Sequence, residues 1–390
     1  MARKAYIGVD GKARKVEKVY LGVSGVARKI KKVYIGVGGA ARLCYAGSGL
    51  YYQGTITGLS AARYGLSATT IGNYALFCGG YNNGGHSTVD AYTSSLTRSS
   101  ATSLSAPRLS LAATTVGNYA LFGGGYSGGS GSNAIFYTTV DAYNASLTRS
   151  TPTVLSVGRQ RLAAATVGNY ALFGGGTTSG SSSKAVDTVD CYDSSLTRSA
   201  PIALSVARCD LAATTVGEYA LFGGGGTSTG KNTVDAYDHS LTRSTPTALA
   251  TTTTELAATT VGNYALFGGG TYSASTSTIP ESYLRTSVTA YDASLTKSAP
   301  TALRAGRRLL SATTVGNYAL LGGGARTSTV EHSDIVDCYD ASLMINAPIS
   351  LSAARSELAA ATIGDYALFG GGHASASANY STVDAYVCMP

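Results

Sequence analysis

Ile71-Gly72-Asn73-Tyr74-Ala75-Leu76-Phe77-Cys78-Gly79-Gly80 decides how this chain is read, because six close copies of it follow, starting at Val116, Val167, Val216, Val261, Val315 and Ile363. The starts lie 45, 51, 49, 45, 54 and 48 residues apart, which is the period of a propeller blade and not of a helical solenoid. Within one period, Leu111 to Leu155, the order is LAATTV, GN, YALFGGG, a polar loop, TVDAY, NA and SLTRSTPTVL. Four apolar or β-branched runs separated by Gly, Asn and Ser read as four antiparallel strands, a to d. The Gly-Asn before Tyr119 marks a tight hairpin, and the Asn, Asp or Thr after each DAY-type strand can close the next turn with its own side chain.

Strand a is built from Ala and Thr, small enough to crowd around an axis, whereas Leu121 and Phe122 of strand b can fill the space between neighbouring blades. The fold class expected is all-β: a seven-bladed propeller of four-stranded blades. Strand d follows strand c only six times, because the seventh copy ends at Tyr386-Val387-Cys388-Met389-Pro390. The stretch Leu50 to Leu59 precedes the first strand a and aligns with the missing d, so an N-terminal outer strand is expected to pair with the last blade and close the ring. Closure leaves no long unpaired edge to template aggregation.

Composition agrees with one large β domain plus an appendage: 49 Gly and 13% charged residues suit many tight turns and small buried side chains. No stretch of 18 apolar residues occurs, and MARKAYIGVD lacks the apolar run of a secretory leader. Neither a membrane span nor classical export is expected. Residues 1 to 43 hold eleven Lys or Arg against two acids, whereas residues 44 to 390 hold eighteen against nineteen, so the net charge of +8 resides in the N-terminal arm.

That arm, residues 1–47, repeats every 14 residues: Tyr6-Ile7-Gly8-Val9-Asp10-Gly11, Tyr20-Leu21-Gly22-Val23-Ser24-Gly25 and Tyr34-Ile35-Gly36-Val37-Gly38-Gly39. Asp-Gly, Ser-Gly and Gly-Gly are two-residue turns, so three tandem hairpins are expected. So small a β unit rarely holds itself together, which makes it an anchoring or oligomerising module, with Tyr6, Arg14, Lys15, Tyr20, Arg28, Lys29, Tyr34 and Arg42 as anchoring candidates. Contact with nucleic-acid phosphates is the lesser reading, since the tyrosines keep hairpin spacing and do not build a stacking platform.

Within the second expected domain, residues 48–390, the stretch from Leu50 to Pro390 carries an Arg before strand a, a Tyr two residues before Phe-Gly-Gly, and a Val-Asp-Ala-Tyr strand. This resembles the kelch repeat, although the chain contains no Trp where kelch repeats usually place one in strand d. The resemblance implies a binding platform, an adaptor or, less often, an oxidase. The YIGV-x-G-x-AR units of the arm look like tandem repeats in tail and other virion proteins of phages. That implies a virion-anchored arm carrying a kelch-like head, released by host lysis.

Two sets of binding candidates sit on the face made by loops b–c and d–a. The b–c loops are where the copies differ, and they hold Tyr81, His86, Tyr126, Phe136, Tyr137, Tyr272, Tyr283, Arg285, Arg326, His332, His373 and Tyr380. A constant frame with varied loops is how a rigid scaffold presents recognition. Beside them stands an Arg once per blade, at Arg63, Arg108, Arg159, Arg208, Arg307 and Arg355, with Thr253 breaking the series. The expectation is guanidinium groups around the channel mouth, able to grip carboxylates or phosphates. The plainer alternative is that each Arg caps its own loop or pairs with a nearby acid such as Asp210 or Glu357.

Catalysis has little support. The Asp of Asp90, Asp141, Asp190, Asp235, Asp337 and Asp384 recurs as scaffold, and the four His show no convergence on a metal. No cofactor or metal is expected. Six Cys without C-x-x-C spacing read as small, reduced strand residues. The functional expectation is a non-enzymatic virion protein, tail- or fibre-associated. Its arm binds other virion proteins or further copies of itself, and its propeller binds a host-surface glycan or protein. An intracellular adaptor and a carbohydrate-active or oxidase enzyme are the alternatives.

Overall fold

A computed structural model describes residues 49–128, 134–273, 279–326, 331–375 and 378–389, together with the backbone of six short strands between residues 6 and 46. Each period folds as its alternation requires. In the second blade, Ala112–Val116, Tyr119–Gly123, Val140–Tyr143 and Arg149–Ser150 pair antiparallel in the order a, b, c, d. Gly117 opens the a–b hairpin at φ 52°, a value that a primed two-residue turn needs and a side chain resists. The other first strands are Ser67–Ile71, Ala163–Val167, Ala212–Val216, Ala257–Val261, Ser311–Val315 and Ala359–Ile363. These open blades 1 and 3 to 7. Neighbouring strands a touch all the way round, blade 7 against blade 1 included, so the Ala and Thr residues line the axis.

Blade 7 takes its fourth strand from the other end of the chain. Gly49–Ile56 pairs antiparallel with Val383–Met389, as the missing copy of strand d predicted. This seam strand has eight residues, against two or three in the outer strands of the first three blades. Gln53 is its one extra residue, beside Gly54 at φ 105°. Tyr52 Oη donates to Asp384 at 2.6 Å, so the seam is pinned by a side chain as well as by its ladder.

The core lies between blades. Strand alternation sends Leu121 and Phe122 to opposite faces. Leu121 packs with Leu162, Phe173 and Tyr192 of blade 3, and Phe122 packs with Leu76, Val89 and Ala91 of blade 1. Burying each such side chain is worth about 1.5–3 kcal/mol. A Cβ on Gly123 would stand 2.8 Å from the Phe173 ring, so glycine here is what lets the blades close up. Each strand c tyrosine also crosses the gap: Tyr143 Oη donates to Thr102 O at 2.8 Å, and Tyr92 Oη to Thr57 O at 2.9 Å. The turn-closing role of the residue after strand c is observed as well, with Asp193 Oδ1 accepting from Ser195 N and Thr197 N at 2.9 Å each.

In the arm, Tyr6–Val9 pairs with Lys12–Lys15, Val19–Val23 with Val26–Ile30, and Lys32–Val37 with Ala40–Ala46. These are the tandem hairpins the 14-residue period predicted. The anchoring candidates lie on these strands, but their side chains fall outside the described residues. No helix among the described residues is long and apolar enough to cross a membrane.

Removing residues 1–48 is expected to leave the melting temperature of the ring close to that of the full chain, whereas removing residues 1–57 exposes the edge of Val383–Met389. The shorter variant should melt at a lower temperature and aggregate. Equal thermal stability of the two truncations would show that the seam strand does not hold the ring shut.

Candidate functional site

The once-per-blade arginines do not line the channel mouth. Arg63, Arg108, Arg159, Arg208, Arg307 and Arg355 are all fully buried, and each pairs with the strand c aspartate of its own blade. In blade 2, Arg108 Nη2 donates to Asp141 Oδ2 at 2.6 Å and to Phe122 O at 3.2 Å. The same carboxylate accepts from Ser105 N and Ser105 Oγ, so it fastens the incoming d–a connection to the blade it leads into. A guanidinium committed in this way inside the wall has no freedom to take a ligand. The pairing alternative held, but with the DAY-type aspartates and not with Asp210 or Glu357. Blade 5 confirms the role: where Thr253 replaces the Arg, Thr289 replaces the Asp, and Thr289 Oγ1 takes over the backbone N–H of Ala250.

What reaches the mouth is the residue two places further on. Gly65, Ser110, Arg161, Asp210, Glu255, Leu309 and Glu357 form a closed belt in which the N–H of each donates to the carbonyl of the one before, at 2.9–3.1 Å. All have φ between 51° and 65°. For the six that are not glycine this conformation costs roughly 1–2 kcal/mol each, and the closed belt holds it in place. The belt rims a cavity of about 210 Å³ above seven leucines, among them Leu66, Leu111 and Leu358. On the far side of the collar the channel is lined by hydroxyls, for example Thr114 against Thr166 at 2.8 Å.

The charges on this rim are paired in part. Arg161 Nη1 stands 3.5 Å from Asp210 Oδ2, and Arg308 Nη1 stands 2.6 Å from Glu255 Oε2. Burial raises the Asp210 carboxyl despite Arg161. Burial also raises Glu255, which Arg308 lowers and Asp210 raises again, leaving it at about 7. Glu357 has no Lys or Arg within ion-pair distance among the described residues; His373 Nε2 lies 3.5 Å from its Oε1.

Loops b–c and d–a do emerge on one face: the residue after each buried Arg, or after Thr253, bridges the first residue of its loop, as Tyr64 does with Tyr81 and Ser356 with His373. The structure brings five of the loop candidates into two neighbouring groups. His373 stacks on Tyr64 at 4.4 Å and meets His332 at 5.3 Å, while Tyr64 also packs edgewise on Tyr81. Burial and Glu357 push the Tyr64 hydroxyl up to about 12, and burial and His373 hold His332 below its ordinary value. Beside them Tyr126 stacks on Phe136.

Tyr272, Tyr283, Arg285 and Arg326 form a separate group over blades 5 and 6, with Arg285 5.5 Å over the Tyr272 ring and Arg326 paired with Glu281. His86, Tyr137 and Tyr380 share one scaffold position, where the backbone N–H bonds the second glycine and the carbonyl accepts from the next buried Arg. Among the described residues no group of His, Cys, Asp and Glu is placed to hold a metal. Cys78, Cys191, Cys209 and Cys338 are buried free thiols.

No family model and no curated protein matches the chain. Among solved structures, that of YjhT is similar, with a TM-score of 0.58 and 11% identity over 75% of this chain and 99% of that one. That likeness shows the fold alone.

Sequence reasoning missed Tyr64, Arg161, Glu255 and Arg308, and treated Asp210 and Glu357 only as counter-ions. A signal was present: one and two places after an almost constant Arg, the copies diverge into Tyr-Gly, Leu-Ser, Gln-Arg, Cys-Asp, Thr-Glu, Arg-Leu and Ser-Glu.

Asp141→Ala leaves a buried guanidinium unpaired and is expected to cost about 3–5 kcal/mol in urea unfolding. Arg108→Thr with Asp141→Thr, the pair found in blade 5, should cost less than Asp141→Ala alone. A double variant less stable than that single one would contradict the spoke role. At Glu255 the fold retains a proton that the unfolded chain releases near 4.5, so this residue's contribution to stability falls as pH rises from about 4.5 to about 7. Relative to the wild type, Glu255→Gln should therefore gain melting temperature between about pH 5 and about pH 8. A difference independent of pH would show that the carboxyl titrates normally.

Proposed function

We propose that this chain is a non-enzymatic recognition head carried on an anchoring arm. The observation that carries this reading is the polarity of the ring. The seam strand begins at Gly49, whose surroundings include Tyr51 and Tyr318 at the a–b end of blade 6, and it runs toward the d–a connection on the loop face. The chain therefore enters the described ring at the end opposite the channel mouth and the b–c loops. Anchoring through residues 1–47 leaves the varied face open. The internal comparison supports the same reading: spokes, glycines and interblade tyrosines repeat, while rim and loop residues differ from blade to blade.

The kelch-like spacing suits a binding platform. The likeness of the arm to phage virion repeats supplies the setting, in which other virion proteins, or further copies of this one, hold the arm. The head then meets a host-surface glycan or protein. The expected result of deleting residues 1–45 is a folded ring that no longer enters its assembly, read by co-sedimentation with the particle. Replacing residues 81–87 and 373–379 with Gly-Ser linkers should spare assembly and abolish attachment to the target cell. Assembly without the arm, or attachment without the loops, would overturn the proposal.

A further inference from the structure

One departure from sevenfold repetition lies where blade 7 meets blade 1. The rim residue there is Gly65, where a Cβ would lie in ordinary contact with Glu357 Oε2 at 3.6 Å, so the space next to this carboxylate holds no side chain from the neighbouring rim position. Of the three acidic groups on the rim, Asp210 and Glu255 are each matched by an arginine, and Glu357 is not. Its side chain is 28% exposed, open enough to be reached yet shielded enough for its charge to be felt.

Aromatic rings lie to one side of it. Tyr64 stacks on His373, Tyr81 stands edge-on to Tyr64, and the charge of Glu357 reaches both Tyr64 and Tyr126. A carboxylate with no arginine partner, lining a cavity of about 210 Å³ and lying beside the Tyr64–His373 stack with His373 Nε2 3.5 Å away, suits an organic cation. The carboxylate supplies charge and directional acceptors, and the rings supply cation–π attraction to a group that is incompletely hydrated there.

The geometry points to an ammonium- or guanidinium-binding site at the blade 7–blade 1 seam of the mouth, with Glu357 as the anion and Tyr64 as the principal ring. This rests on the reading of the loop face as the recognition face and names the chemistry it selects. The cation can belong to a small amine or to a Lys or Arg side chain of a partner protein.

The test is calorimetric titration of the full chain at about pH 8 with Nα-acetyl-arginine amide and with butylammonium, using Nα-acetyl-norleucine amide as the uncharged control. Both cations should bind and the control should not. Glu357→Gln should weaken cation binding at least tenfold at an unchanged melting temperature, Tyr64→Ala should weaken it several-fold, and Tyr64→Phe should retain it. A Lys- or Arg-containing pentapeptide that binds more tightly than the free amine assigns the site to a polypeptide partner. Equal affinities assign it to a small amine, and either result supports the site. Equal binding of the uncharged control, indifference to Glu357→Gln, or no binding by a folded protein would overturn it. If cell attachment through the loops persists while the cations fail to bind, this inference falls alone; if the cations bind without attachment, the recognition-head reading falls instead.

Discussion

A buried arginine bonded to a buried aspartate, both with fully covered side chains, is the interaction on which this ring depends. It occurs in six of the seven blades, and each instance ties the connection arriving from one blade to strands b and c of the next. Removing such charges from water is expensive, and further bonds offset part of that cost: the carboxylate also takes backbone and hydroxyl protons, and the guanidinium also donates to a strand b carbonyl, while its Nε stays without a hydrogen-bond partner among the described residues. By fixing the arginine inward, the spoke fixes the next two residues outward. The chemistry of the mouth is thus set by residues that the scaffold positions but does not itself use.

This division explains how so repetitive a molecule can hold one asymmetric site. The belt of backbone hydrogen bonds imposes the same left-handed conformation on all seven rim residues, whatever their side chains. Seven equivalent places then carry glycine, serine, leucine, one guanidinium and three carboxylates. The seam strand adds a second asymmetry, since Tyr52 stands where other blades use an outer-strand arginine such as Arg98 to reach the aspartate. A tyrosine there keeps the hydrogen bond without bringing a second cation to the closure.

Much of the fold was legible because it rests on patterns that repeat. The GN turn, the small strand a, the alternation of Leu121 and Phe122, and the unpartnered segment before Ser60 each predicted a feature now seen. The site was legible only as a face. The arginines were assigned to the mouth because their period matched the ring, but a period says nothing of whether a side chain points inward along a blade or outward to the axis. The joint loss of Arg and Asp in blade 5, at Thr253 and Thr289, was visible in the sequence and marks a pair satisfied internally. Tyr64 and Arg161 were passed over because each occurs once at its place in the repeat, and a single departure stands out only against an aligned frame.

The sequence by itself determined the number of blades, the strands within each and the closure by an N-terminal strand, because these follow from local turn chemistry and side-chain size repeated at a fixed interval. The tertiary structure alone decided which charges are spent inside the wall and which face the cavity. That outcome depends on burial and on partners some 30 residues or more away, such as Asp141 for Arg108 and His373 for Tyr64, which no local pattern encodes.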